Sequence, residues 1–105
     1  MKSKLELMAE EVFLHKPTRA ILDIGYAQTS NSFLTGRGVK VYGVDIVDLP
    51  AEGYEKTLKC DLNSEKLPFK DGEIDVVEMG CVLAHVANPL KALAEINRVL
   101  PLGGF

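Results

Sequence analysis

A chain of 105 residues suffices for one compact domain and not for two, and such a domain buries on the order of 65% of its unfolded surface. Hydrophobic residues make up 47% and charged residues 26%, the balance of a soluble globular protein and too apolar for a disordered one. The formal net charge of −3 removes the electrostatic reason to expect nucleic acid or an anionic membrane as partner.

The N-terminal stretch MKSKLELMAEEVF is amphipathic and acidic, unlike a signal peptide, and no apolar run approaches the roughly 20 residues that span a bilayer. A cytoplasmic setting is therefore expected, in which Cys60 and Cys81 stay reduced and are too few for a zinc site. Leu5, Met8 and Val12 recur at helical spacing and predict a helix over residues 3–15, closed by Pro17. His15, beside that proline, reads as structural.

ILDIG at 21–25 is a short apolar run of strand type. Thr29, Ser30 and Asn31 are good N-caps for a short helix that would bury Phe33 and Leu34 and stop near Gly36 or Gly38. VKVYGVDIV at 39–47 is apolar on both faces, as a strand between two helical layers must be. After a loop at 48–54, KTLKCDL at 56–62 makes a weaker strand, followed by turn signals at Pro68 and Asp71-Gly72. EIDVVEMG at 73–80 is the fourth strand candidate. Asn88-Pro89 then starts a helix whose face is described by Leu90, Leu93, Ile96 or Asn97, and Leu100, and which Pro101 ends.

Strands alternating with helical segments predict a doubly wound α/β fold with a parallel sheet and right-handed crossovers. Ligands of such folds sit beyond the carboxyl ends of the strands, where the strand order reverses. Gly25, Asp45, Asp61 and residues 79–81 stand at those ends. Gly25 lets the backbone turn sharply and approach a ligand, or serves as a turn glycine with no ligand. Asp45, 20 residues on, can accept from both hydroxyls of a ribose, or act as a solvated aspartate or helix cap. Asp61 can accept from an exocyclic amine such as that of adenine, although Asp-Leu-Asn is also ordinary turn chemistry.

Over residues 20–105 the sequence resembles the class I S-adenosylmethionine-dependent methyltransferases, in particular the small-molecule enzymes of type 11. The resemblance rests on ILDIGYAQT at 21–29, VYGVDI at 41–46, CDLNSEKLPFKDGEIDVVEMGCVLAHV at 60–86 and NPLKALAEINRVLPLGGF at 88–105. It implies S-adenosylmethionine as cofactor and a small-molecule methyl acceptor. It further implies that Gly25 and the backbone around Tyr26 approach the methionine part, Asp45 holds the ribose hydroxyls and Ile46 packs on the adenine. Asp61 with Leu62 would contact the adenine edge, and Met79 and Gly80 would line the cofactor from the fourth strand. The Tyr26 ring would either cover the cofactor or pack against the neighbouring helix.

Two departures from the family pattern stand out. The second and third glycines of the first motif are replaced by Ala27 and Thr29, of which the β-branched Thr29 resists a positive φ. The resemblance also implies a seven-stranded sheet of order 3-2-1-4-5-7-6, of which this chain holds about four strands in the order 3-2-1-4, ending where the fifth should begin. That arrangement leaves the fourth strand as an edge, to be covered by self-association into a homo-oligomer or by the terminal segment. It also separates Cys60 from Cys81 by roughly 14 Å, beyond disulfide reach. His85, where Ala84 replaces a glutamate common in the family, is a general base or substrate contact in one reading and a surface or capping histidine in the other.

Two further readings compete with a methyltransferase or its cofactor-binding half. One is a catalytically incomplete domain working as a binding or interaction module. The other is a nicotinamide-dependent oxidoreductase, which Asp45 would suit; the Gly-x-Gly-x-x-Gly cradle for pyrophosphate is absent.

Overall fold

The computed structural model describes residues 1–27, 30–79, 87–101 and 104. Four parallel strands form one sheet in the order β3-β2-β1-β4: β1 (Ala20–Ile24), β2 (Lys40–Asp45), β3 (Lys56–Lys59) and β4 (Val76–Met79). Helix α1 (Lys4–Leu14) covers one face and α2 (Pro89–Val99) the other, which is the doubly wound arrangement expected from the sequence.

Alternation along each strand sorts the side chains between the two faces. Ala20, Leu22, Ile24 and Val44 point towards α2, where they meet Cys60, Leu67, Phe69, Ile74, Ala92 and Val99. Ile21, Val41 and Val76 point towards α1 and meet Ala9 and Val12. Because β1 is covered on both sides, all five of its residues are buried, Asp23 among them. Register fixes the rows that matter for the site: Asp23 of β1 stands between Gly43 of β2 and Glu78 of β4.

The N-terminal ends of β1 and β4 are clamped by Asp75. Its Oδ2 accepts the backbone N–H groups of Thr18, Arg19 and Ala20 at 3.1, 2.6 and 3.2 Å, and its Oδ1 accepts from the Arg19 guanidinium. Strand β4 accordingly begins at Val76 rather than Glu73, because the preceding residues turn to make this clamp.

Three further expectations are corrected. The helix expected after Thr29 is a single 3₁₀ turn, Ser32–Leu34, in which the Asn31 side chain accepts from Phe33 N–H at 3.1 Å. Gly36 and Gly38, at φ 75° and 77°, stop it at once; Leu34 is buried as expected, but Phe33 remains 38% exposed. The third strand ends at Lys59 rather than at residue 62, since Asp61 starts a turn by accepting from Asn63 N–H.

The third correction concerns α2, which buries Ala92 and Val99 and leaves Leu90 and Leu93 exposed at 79% and 47%. The cause lies at its C-terminal end. Val99 O accepts from Ile74 N–H at 2.9 Å and Arg98 O from Gly72 N–H at 3.0 Å, while the Arg98 guanidinium donates to the carbonyls of Leu67 and Phe69. These bonds set the rotation of the helix, and that rotation turns the Leu90–Leu93 side outward.

Candidate cofactor site

Beyond Ile24 the chain turns at Gly25, whose φ of 84° belongs to the region that favours glycine, and its N–H donates to Val44 O at 2.8 Å. The next residue goes inward. Tyr26 is 1% exposed, its ring lies over Gly43 and 5.9 Å from the ring of Tyr54, and its hydroxyl donates to Leu49 O. The ring is buried, as in the packing role open to it in the sequence, but it packs on Gly43 of β2 and beside Tyr54 rather than against a helix, and only the backbone of Tyr26 stands at the strand end.

Asp45 ends β2 and braces two loops. Its Oδ2 accepts from Ala27 N–H and its Oδ1 from Val47 N–H, both at 3.2 Å. A carboxylate has about four acceptor positions, so two such bonds leave capacity for a ribose diol. Next to it Ile46 is 62% exposed, an apolar surface open to solvent at the same strand end.

Asp61 accepts from Asn63 N–H at 2.9 Å and Ser64 Oγ at 3.3 Å, the turn chemistry that its sequence context allowed. Leu62 is buried in the core with its side chain, leaving its backbone as the group at hand. The loop is braced from α2, where Lys91 Nζ donates to Glu65 O at 3.0 Å and Leu62 O at 3.4 Å, and from Ala87 N–H, which donates to Asn63 Oδ1 at 2.8 Å. Met79 ends β4 half-buried against the core. Gly80, Thr29, Cys81 and His85 lie outside the described residues; Cys60 is a buried free thiol, its pKa pushed up by burial and by nearby carboxylates.

A polar cluster that the sequence did not announce lies beneath Gly25. Asp23, Asn31 and Glu78 are buried at 4%, 0% and 8% exposure. The Tyr54 hydroxyl donates to Asp23 Oδ2 and accepts from Asn31 N–H at 2.8 Å, and the Asn31 amide donates to Leu5 O. Burial, then the charge of Glu78, pushes the Asp23 carboxyl up to about 7 against the pull of the Tyr54 hydrogen bond. Burial likewise raises Glu78, against its hydrogen bond with Asn31, and burial with the Asp23 contact raises Tyr54. The sequence signals for this cluster are an acid in each of two otherwise apolar strands, Asp23 in A-I-L-D-I and Glu78 in V-V-E-M.

The side-chain acceptors gathered near the strand ends, Asp23, Asp45, Asp61 and Glu78, are all carboxylates. Such a set suits a ligand that brings hydroxyl and amine donors and positive charge, and it repels a pyrophosphate. Residues 22–105 match the type 11 methyltransferase domain. The chain belongs to that family. As a methyltransferase domain it is 33% identical, over 98% of its own length, to an uncharacterised protein of Methanocaldococcus jannaschii, and spans 48% of that relative. It is 37% identical to a demethylmenaquinone methyltransferase of Staphylococcus aureus over 63% of its length and 30% of that enzyme. Among solved structures, a TehB-like S-adenosylmethionine-dependent methyltransferase of Corynebacterium glutamicum superposes with TM-score 0.75 at 24% identity, covering 92% of this chain and 58% of the other. A methyltransferase of Aquifex aeolicus gives TM-score 0.61 at 26% identity, covering 94% and 62%. The chain thus spans about half or less of the curated relatives named here and under two thirds of these solved structures.

The cofactor of the methyltransferase domain is S-adenosylmethionine. The residues present fit it: a carboxylate with spare acceptor capacity at the end of β2, an exposed isoleucine beside it, and acidic groups in place of a phosphate cradle.

Proposed function

We propose that this methyltransferase domain holds S-adenosylmethionine across the carboxyl ends of β1 to β4 and directs methyl transfer to a small-molecule acceptor. The observation that carries the reading is Asp45, a half-buried carboxylate that fixes both the Gly25 loop and the loop after β2 and still has acceptor positions for two ribose hydroxyls. Ile46 packs on the adenine, Asp61 and the Leu62 backbone meet its edge, and Gly25, the Tyr26 backbone, Met79 and Gly80 border the methionine part.

When bound, the cofactor supplies an electrophilic methyl on a sulfonium. The chain's own task is to position the reactants and exclude water, since a well-placed pair reacts without further covalent help. The small-molecule acceptor is supported by the likeness to the demethylmenaquinone enzyme. A cytoplasmic setting goes with this reading, as does the thiol state of Cys60; among the described residues no helix is long and apolar enough to cross a membrane.

The second reading, an interaction module, draws support from β4, which among the described residues pairs with β1 alone. Its other edge offers unpaired backbone groups to a further strand, from a continuation of the fold or from a second copy in a homo-oligomer. Calorimetric titration with S-adenosylhomocysteine separates the readings. Saturable binding that Asp45→Ala abolishes, with NAD silent, is the expected result; no binding to a folded sample leaves the interaction module.

A further inference from the structure

The loop that leaves β1 at Gly25 carries Ala27 and Thr29 in place of two glycines, and what fixes its course comes from the β2 side of the sheet. Asp45, at the end of β2, holds the near end by accepting from Ala27 N–H at 3.2 Å. Tyr54, where the loop after β2 runs towards β3, holds the far end. Its hydroxyl accepts from Asn31 N–H at 2.8 Å and donates to Asp23 Oδ2 on β1. Asn31, 0% exposed, passes the restraint on: its amide donates to Leu5 O of α1 at 3.0 Å and its Oδ1 accepts from Phe33 N–H at 3.1 Å.

The loop after β2 is held in the same way. Ile46, Val47 and Leu49 are 62%, 47% and 46% exposed, and a loop that buries so little takes its conformation from its hydrogen bonds. Leu49 is bound through both its N–H and its C=O to the Tyr26 hydroxyl. The rings of Tyr26 and Tyr54 lie 5.9 Å apart, and the Tyr54 ring packs against the core on the α1 side. Each tyrosine thus leaves one loop and fastens the other. The Tyr54 hydroxyl does this as a neutral phenol, since burial and then the hydrogen bond to Asp23 raise its pKa, and it is no candidate for proton transfer.

We propose that Tyr54 is a positioning residue for the cofactor loop: its hydroxyl, held between Asp23 and Asn31, fixes the far end of the 25–31 segment as Asp45 fixes the near end. This role rests on the cofactor reading above and requires no contact between Tyr54 and the ligand. A loop in which two glycines are replaced gains its set geometry from this second attachment, and a site displaced by a fraction of a bond length binds and orients its ligand less well.

The test is calorimetric titration of the full chain with S-adenosylhomocysteine. Tyr54→Phe keeps the ring and removes the two hydrogen bonds, and it should weaken binding roughly fivefold or more. Asp75→Ala, which loosens the sheet at its opposite end, should stay within about twofold of wild type and so separates positioning from loss of stability. If Tyr54→Phe binds as wild type does, or if both variants weaken binding alike, the positioning role is overturned while the cofactor reading stands. Silence of the wild type sinks the cofactor reading and this role with it. Should Tyr54→Phe fail to fold, hydrogen exchange of the wild type decides: S-adenosylhomocysteine should slow the Asn31 amide more than the Ile74 amide, and equal protection of the two overturns the role.

Discussion

A Cβ placed on Gly43 would fall 2.6 Å from both Cδ1 and Cγ of the Tyr26 ring. Glycine in the middle of a strand weakens it, and here the weakness makes room for the residue that follows the Gly25 turn to be buried. The ring in turn anchors Leu49 through its hydroxyl, which both donates to the carbonyl and accepts from the N–H of that residue. One empty Cβ position in β2 thereby sets the course of the loops after β1 and β2, the two that Asp45 ties together.

Gly43→Ala is expected to destabilise the domain by about 1–3 kcal/mol, the usual cost of overpacking a well-filled interior. It should also weaken S-adenosylhomocysteine, because a displaced Tyr26 carries Ala27 away from Asp45. Urea unfolding of the single and double variants with Tyr26→Ala checks the cause. With the ring gone the alanine should cost little, so a coupling near zero would place the strain elsewhere.

Asp75 carries five hydrogen bonds at the other end of the sheet, three of them from consecutive backbone N–H groups. Asp75→Ala is expected to cost about 1–3 kcal/mol, since three backbone N–H groups and the Arg19 guanidinium lose a charged acceptor that water at this partly exposed site replaces only in part. Asp75→Asn should recover only a part, as an amide offers one acceptor oxygen for two. Equal unfolding midpoints for wild type and Asp75→Ala would show that water replaces the clamp.

The elements and the site were unequally legible in the sequence. Apolar runs closed by Gly25 and Asp45 announce β1 and β2 because a strand between two helical layers has to be apolar on both faces, and spacing together with the strand-end position marks Asp45 as a candidate. The rotation of α2 was not legible: Leu90 and Leu93 share the period of a buried face, and bonds to Gly72, Ile74, Leu67 and Phe69 decide otherwise. The acidic cluster was hidden for a similar reason. Tyr54 and Asp23 are 31 residues apart, and Glu78 joins them only through strand pairing.

The buried acids predict an unusual dependence of stability on pH. Asp23 titrates near 7 in the fold against an ordinary 3.8, so the folded state holds a proton that the unfolded chain releases. Stability from this group is complete below about 4 and is lost as pH rises to about 7, a change on the order of 3–4 kcal/mol. Burial works in the same direction on Glu78. Asp75 runs the other way: burial would raise it, but the N–H donors of Arg19, Ala20 and Thr18 with the Arg19 guanidinium prevail and lower it, so its contribution is lost as pH falls below about 4. Thermal unfolding should therefore peak near pH 4–5 and decline towards pH 8. A maximum at neutral pH would mean that the acids are relieved by a partner or by water.

Removing the charge of Glu78 isolates its share of that decline. Glu78→Gln leaves the shape of the side chain, ends the repulsion that helps raise Asp23, and gives Asn31 a neutral neighbour. The variant should be more stable than wild type at pH 8 by about 1–3 kcal/mol and nearly equal at pH 4, where Glu78 is already protonated in the fold. The gain at high pH is the free energy held in the pair of buried acids. Equal melting temperatures for wild type and Glu78→Gln at pH 8 would mean that the repulsion between the two acids is relieved in the fold.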